Sequence, residues 1–259
     1  MELLHGNCID LLRNISDSSI DATITSPPYD NLRAYNNGCQ WGEQQWKEIL
    51  KQLYRVTKDG GVVVWIVNDA TVNGSETGTS FKQALYAKEI GFRLYDTMIW
   101  NKQSGGYISS RNRYTASFEY MFIFTKGAPK THNLIRDKRN KWAGSTAVHG
   151  LRKRDGSVQK TEQYSIIPEY GVRYNVWNIN PVQSNTERTG HPAQFPLELA
   201  EAHVLTWSNE GDTILDPMMG SGTVGAVCAV TNRDFIGMDI NKEYVDIAEK
   251  RIKQIQSSI

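Results

Sequence analysis

Apolar residues fall along this chain in short continuous runs, separated by stretches with helical spacing. Ile20 to Ile24 and Val62-Val63-Val64-Trp65-Ile66-Val67 are nearly uninterrupted. Runs of this kind belong to strands buried on both faces of a parallel sheet. Leu3-Leu4-His5, Phe92 to Trp100, Phe118 to Phe124, Thr213 to Asp216 and Arg233 to Asp239 read as further strands. Between them the spacing predicts helices over Cys8–Ile15, Trp41–Tyr54, Ser80–Ile90, Leu197–Trp207, Val224–Val230 and Lys242–Ile255. Trp46, Ile49, Leu50 and Leu53 form one inward stripe, and Tyr244, Val245, Ala248 and Ile252 another. Ser80 is placed to cap its helix, which stops at Gly91. Strands alternating with helices predict an α/β fold with a mostly parallel sheet.

Residues 127–190 break the rhythm. Pro, Gly, Lys, Arg, Asn and Gln dominate there, with short clusters such as Tyr164 to Ile167 and Val176-Trp177-Asn178-Ile179. A structureless loop of that length is unusual inside a domain, so a small irregular lobe is expected. The domain division is then a body over 1–125 and 190–259 with an insertion over 126–189.

Charge sharpens this division. The formal net charge is +1, yet Lys126 to Arg173 holds 11 Lys and Arg against 4 Asp and Glu, and the rest 18 against 24. A near-neutral body with one basic segment favours a nucleic-acid partner. Lys138, Arg139, Lys141, Arg152, Lys153 and Arg154 are the candidates to meet phosphates, with Arg111 and Arg113 in a loop of the body. Three cysteines, Cys8, Cys39 and Cys228, are too scattered for a disulfide framework or a zinc site. The chain opens Met1-Glu2-Leu3-Leu4 without a basic, apolar leader, and no run approaches the roughly 18 apolar residues of a membrane span. A cytoplasmic protein that meets no membrane is expected.

Two stretches carry chemistry. Thr25-Ser26-Pro27-Pro28-Tyr29 follows a buried strand, and two prolines cannot continue it. The chain must turn at the carboxyl end of the sheet, where open α/β folds bind ligands. Such a turn exposes a hydroxyl and carbonyls that accept hydrogen bonds from an amine, and a ring that stacks on a flat group. A rigid loop with a packed tyrosine is the plainer alternative. The second stretch is Asp216-Pro217-Met218-Met219-Gly220-Ser221-Gly222-Thr223, with Asp239 ending the next strand. Its glycines permit close approach of a ligand, or a tight turn needed for packing. The phosphate-clamping Lys-Ser/Thr ending is absent, and an acid at Asp239 suits ribose hydroxyls. An adenosine ligand with an amine rather than a pyrophosphate fits best, which points to S-adenosylmethionine.

These two stretches, together with His191-Pro192-Ala193-Gln194-Phe195-Pro196, resemble the exocyclic-amino DNA methyltransferases, and their order resembles the beta class. The resemblance covers about 1–125 and 191–259. It implies a Rossmann-like, circularly permuted, mostly parallel seven-stranded sheet with a small irregular target-recognition lobe. It implies that Asp216, Met218, Gly220, Ser221, Gly222 and Thr223 line the methyl-donor site and that Asp239 holds the ribose. His191, Phe195 and Pro196 flank the methionine end, although His191 reads equally as a structural cap before a proline. Asn7 stands where the family usually has Asp beside the cofactor adenine. Ser26, Pro27, Pro28 and Tyr29 become the catalytic tetrad, acting on a base flipped out of duplex DNA. No metal or covalent intermediate is required. No cysteine follows a proline in such a loop, which rejects methylation at carbon 5 of cytosine. In the family a serine at the first tetrad position leans toward N4 of cytosine, with N6 of adenine the alternative and a non-catalytic DNA-binding protein a third reading. Relatives of this class are often dimeric, so a homodimer is a further expectation.

Overall fold

The computed structural model describes residues 1–29, 41–103, 112–182, 194 and 196–257, and among these the side chains of 148–152 and 160–163 are left aside. In chain order the elements are β1 (Glu2–His5), α1 (Cys8–Leu12), β2 (Ile20–Thr25), α2 (Glu43–Val56), β3 (Thr57–Val67) and a small hairpin of β4 (Thr71–Val72) and β5 (Ser75–Glu76). Then come α3 (Thr79–Glu89), β6 (Arg93–Asn101), β7 (Phe118–Thr125), β8 (Lys138–Arg139), β9 (Thr146–Arg152), β10 (Val158–Ile166), β11 (Tyr170–Gly171) and β12 (Val176–Asn178). The chain finishes with α4 (Leu197–Trp207), β13 (Thr213–Asp216), α5 (Thr223–Val230), β14 (Asp234–Asp239) and α6 (Lys242–Gln256).

The chain divides into two units, residues 1–133 with 175–259, and residues 134–174. The first is built on one sheet, ordered β1-β14-β13-β2-β3-β7-β6-β12. Pairs from β1 through β3 are parallel, β7 runs antiparallel to β3 and β6, and β12 is parallel to β6. The sheet therefore has eight strands where seven are expected from the sequence. The extra strand is β12, which lies in the sequence stretch read as insertion. It joins the body because Trp177 and Ile179 are buried there and the Trp100 indole N–H donates to the Ile179 carbonyl at 2.8 Å.

The continuous runs form the sheet's centre. Every residue from Val62 to Val67 is buried. Val63, Trp65 and Val67 belong to one apolar cluster with Trp46, Ile49, Leu50 and Leu53 of α2 and Ala84 and Ala87 of α3. Their neighbours on β3 point to the other face, because side chains alternate along a strand. On β7, Met121 likewise faces α4, where its sulfur lies 3.2 Å from His203 Nε2. His203 is wholly buried, stacks near Trp177 and accepts from the Trp207 indole, and burial holds its pKa down to about 3. It is a neutral core residue.

Ser80 is not the cap of α3. Gly78 holds the cap position with φ +64°, and Ser80 lies inside the first turn. Asp69 takes its place, accepting from the Ser80 N–H at 2.8 Å and the Ser80 hydroxyl at 2.6 Å. A carboxylate at a helix start satisfies donors that would otherwise have no intrahelical partner.

The second unit has more regular structure than its composition suggests. β9 and β10 form an antiparallel hairpin, and β8 pairs with β11. Asp137 and Arg173 are ion-paired in this unit, with Arg173 Nε donating at 2.8 Å, and the guanidinium holds the Asp137 carboxyl below its usual range.

Candidate active site

Strand β2 delivers the tetrad. Ile20, Ala22, Thr23, Ile24 and Thr25 are buried, and the strand ends where Pro27 and Pro28 remove two backbone donors. Its neighbour β13 carries Asp216, with Ala22 opposite Ile214 and Thr23 opposite Leu215. The two motifs, at distant points of the chain, thus leave the same edge of the sheet side by side. A buried side-chain bond joins them. Thr25 Oγ1 donates to Asp216 Oδ1 at 2.8 Å, and the same oxygen accepts from the Met218 N–H at 3.2 Å.

Beyond the turn, Ser26 Oγ lies 2.9 Å from the Tyr29 hydroxyl, which donates to Glu119 Oε2 at 2.5 Å. Ser26, Pro28 and Tyr29 are half-buried and Pro27 is buried. The Tyr29 ring packs against the cluster beneath α2. Glu119, on β7, is 4% exposed, and its other oxygen accepts from the Lys102 ammonium. Neither Glu119 nor Lys102 belongs to a sequence motif. The signal that could have found Glu119 is a carboxylate on the same strand face as Met121 and Ile123, in a run otherwise apolar.

The second motif turns tightly between β13 and α5. Gly220 and Gly222 have φ of +50° and +73°, which L side chains rarely adopt. The Gly220 N–H donates to Asp239 Oδ2 at 2.9 Å, and Asp239 Oδ1 accepts from the Asn241 N–H at 2.8 Å. Ser221 and Thr223 are buried, and Arg251 of α6 donates to the Ser221 carbonyl and to the Thr223 hydroxyl. A Cβ on Gly222 would stand 2.7 Å from the Ala248 Cβ. Helix packing alone thus demands glycine there. Gly222→Ala is expected to destabilise the protein by about 2 kcal/mol, lowering the melting temperature by roughly 4–8 °C in a thermal scan.

Electrostatics set what this pocket accepts. Asp216 is wholly buried, and burial pushes its carboxyl up to about 7; the Thr25 hydroxyl and Met218 N–H pull the other way, and Asp239 adds to the rise. Asp239 is raised too, chiefly by burial. Two carboxyls at the ends of adjacent strands disfavour a phosphate and suit a ligand with positive charge and hydroxyls. A sulfonium-bearing nucleoside fits that donor set. Asn7 caps α1 by accepting from the Ile9 N–H at 3.0 Å and is exposed, while the neighbouring Gly6 N–H donates to the Asp239 carbonyl at 2.9 Å. Asn7 and the Asp239 strand end are therefore adjacent. Pro196 is buried at the start of α4. His191 and Phe195 lie outside the described residues, as do Arg111 and the residues 30–40 that follow the tetrad.

Of the basic candidates, Arg113 is held by the β4–β5 hairpin, donating to the Gly74 carbonyl and standing 3.7 Å from Glu76. Lys138 and Lys141 lie over the rings of Tyr174 and Trp142 at 4.9 and 5.4 Å. Arg139 is exposed beside its strand partner Tyr170. Lys153 and Arg154 are exposed at the tip of the β9–β10 hairpin, next to Arg152, whose side chain is outside the description. The tip is closed by Asp155, which accepts from the Ser157 N–H and hydroxyl.

At the carboxyl ends of neighbouring parallel strands, a proline turn carrying Ser26 and Tyr29 thus stands beside a glycine turn flanked by the carboxyls of Asp216 and Asp239. The family model described as DNA methylase, N6_N4_Mtase, matches residues 20–250. The chain belongs to this family, within the beta class of exocyclic-amino DNA methyltransferases, whose methyl donor is S-adenosylmethionine. It is 52% identical over 246 residues to the orphan methyltransferase M.BamHII of Bacillus amyloliquefaciens, covering 93% of this chain and 91% of that protein. Among solved structures it resembles the PvuII DNA methyltransferase, named as cytosine-N4-specific, with a TM-score of 0.70 at 20% identity over 98% of this chain and 90% of that one. It also resembles a Thermus thermophilus protein solved in complex with S-adenosyl-L-methionine, with a TM-score of 0.66 at 20% identity over 100% and 98% of the two chains. These likenesses establish a circularly permuted Rossmann-like fold, with a mixed sheet and an irregular lobe.

Proposed function

We propose that the protein methylates N4 of a cytosine within a specific site of duplex DNA, after the base has swung out of the stack. The observation that carries this reading is the hydrogen-bonded pair of Ser26 and Tyr29, in the turn that leaves a strand tied through Thr25 to Asp216. An exocyclic amine is a poor nucleophile because its lone pair is delocalised into the ring. Ser26 Oγ and the Pro27 carbonyl accept its two hydrogens, which draws the nitrogen toward pyramidal geometry and frees the lone pair. Tyr29, its ring orientation fixed by the hydroxyl's bonds, stacks on the base and contributes about 1–3 kcal/mol. When bound, S-adenosylmethionine supplies an electrophilic methyl group. Asp216 and the 218–223 turn hold its methionine part, and Asp239 and Asn7 hold its ribose and adenine, with His191, Phe195 and Pro196 beside the methionine end. Positioning and fixed dipoles account for the catalysis. A serine rather than an aspartate at position 26 is what favours cytosine over adenine. Mapping methylated bases in DNA from cells expressing the protein tests this directly; N6-methyladenine as the only product would replace cytosine by adenine.

The basic lobe, 126–189 in the sequence and holding the compact unit of residues 134–174, grips phosphates and reads the target. The exposed tip of the β9–β10 hairpin is its foremost contact. Replacing Arg152, Lys153 and Arg154 together by Gln is expected to weaken binding to every duplex and to flatten the slope of log K against log salt by roughly 3. Fluorescence anisotropy over a salt series measures it, and an unchanged slope would remove the clamp. Cytoplasmic residence and a homodimer complete the family reading, and sedimentation velocity checks the dimer. Among the described residues no helix is long and apolar enough to cross a membrane.

A further inference from the structure

Glu119 is buried beside the tetrad, and the reaction as proposed above uses it only to anchor the Tyr29 hydroxyl. Burying a carboxylate is costly unless its oxygens are engaged. Here one accepts from the Tyr29 hydroxyl and the other from the Lys102 ammonium, which also lies 5.0 Å over the Trp100 ring. The arrangement has a direction. A carboxylate opposite an ammonium only accepts, so the single proton of the Tyr29 hydroxyl is spent on Glu119. The Tyr29 oxygen then accepts at its 2.9 Å contact with Ser26, and Ser26 must donate. With its own proton turned toward Tyr29, the Ser26 oxygen offers lone pairs alone to whatever enters the pocket.

We propose that Glu119, oriented by Lys102, is a positioning residue that fixes the direction of the Glu119–Tyr29–Ser26 hydrogen-bond chain, so that Ser26 meets the target base as an acceptor and selects an amino group over a carbonyl. The proposal rests on the reading of Ser26 as the acceptor for the target amine. It makes the site a discriminator between cytosine, which presents an amine at position 4, and uracil, which presents an oxygen there.

Glu119→Gln tests it with almost no change of shape. The Lys102 ammonium takes the amide oxygen, so the amide N–H₂ turns toward Tyr29. Tyr29 then donates to Ser26, and Ser26 presents its proton to the pocket. In a duplex carrying the mapped target site, the wild-type preference for cytosine over uracil at the target position, read as a ratio of dissociation constants, should fall about tenfold or more. Single-turnover methylation should fall roughly 100-fold, with cofactor affinity and melting temperature near wild type. Adding Lys102→Met removes the ammonium, lets the amide oxygen face Tyr29, and should restore at least tenfold of the lost rate together with the cytosine preference. A merely structural ion pair also predicts recovery when the unpaired ammonium is removed, but it leaves the cytosine-to-uracil ratio unmoved throughout, so the ratio is the deciding readout. Should Glu119→Gln fold poorly, Tyr29→Phe keeps the ring and breaks the same chain, and its cytosine-to-uracil ratio must also fall. Unchanged ratios in Glu119→Gln and Tyr29→Phe, or no rescue by Lys102→Met, overturn the proposal. Ser26→Ala separates the two layers: if it keeps the wild-type rate, the reading of Ser26 itself fails, whereas if it loses the rate while Glu119→Gln keeps rate and ratio, only the role of Glu119 fails.

Discussion

Asp216→Asn should leave the protein folded, stabilise the ligand-free form at pH 8, and cost it much of its affinity for S-adenosylmethionine. The hydrogen bonds that this side chain accepts from the Thr25 hydroxyl and the Met218 N–H both fall on Oδ1, which an asparagine oxygen replaces. What is lost is the charge. The sign of its pH effect follows from the raised carboxyl. Unfolded, this group titrates near 4; folded, burial moves it to about 7. Its contribution to stability is fully present below the unfolded value and is lost as pH rises through about 7, by on the order of a few kcal/mol. Above that, the ligand-free wild type carries a buried negative charge that the variant lacks. A cationic ligand offsets this charge, so the wild type should gain more from cofactor at pH 8 than the variant does. Melting curves from pH 5 to 8.5, with and without S-adenosylmethionine, check both halves. A variant that binds cofactor like the wild type would show that the carboxylate does not face the sulfonium side of the ligand.

Ser26→Ala carries the other large effect. It removes a half-buried hydroxyl whose described partner, Tyr29, keeps its bond to Glu119, so folding should change by less than about 1 kcal/mol. The target amine loses the acceptor that the proposed reaction assigns to it. A single fixed group of this kind is worth roughly 100- to 1000-fold in rate. The loss should appear in single-turnover methyl transfer, with dissociation constants for DNA and cofactor within a few-fold of wild type. A matching loss in DNA affinity would instead assign Ser26 to binding.

The sequence made the centre of the sheet plain and its margins obscure, for one reason. β2, β3, β13 and β14 are buried on both faces and must be written as apolar runs, and the proline turn and glycine turn mark where they end. β12 is three residues long with only Trp177 turned inward, so no period exists to be seen. The β9–β10 hairpin is rich in Lys, Arg and Gln, and its pairing is carried by backbone bonds that composition does not report. Ser80 has the right chemistry for a cap, yet Asp69, eleven residues earlier, reaches the helix start first. The tetrad and the donor turn were legible as motifs. Glu119 and Lys102 were not, because their meaning depends on strand β7 lying next to β3 and on β6 lying next to β7.

The sheet order also governs when the enzyme can exist during synthesis. Among the described strands β1 has β14 as its sole neighbour and β2 has β13 on one side, so both wait for strands made about two hundred residues later. At ribosomal speeds of roughly 5–20 residues per second that delay is on the order of 10–40 s. Throughout it the nascent chain carries unprotected strand edges, an invitation to chaperones and to aggregation. No fragment ending before residue 213 can hold the Thr25–Asp216 bond. Activity therefore cannot precede synthesis of the segment 213–239.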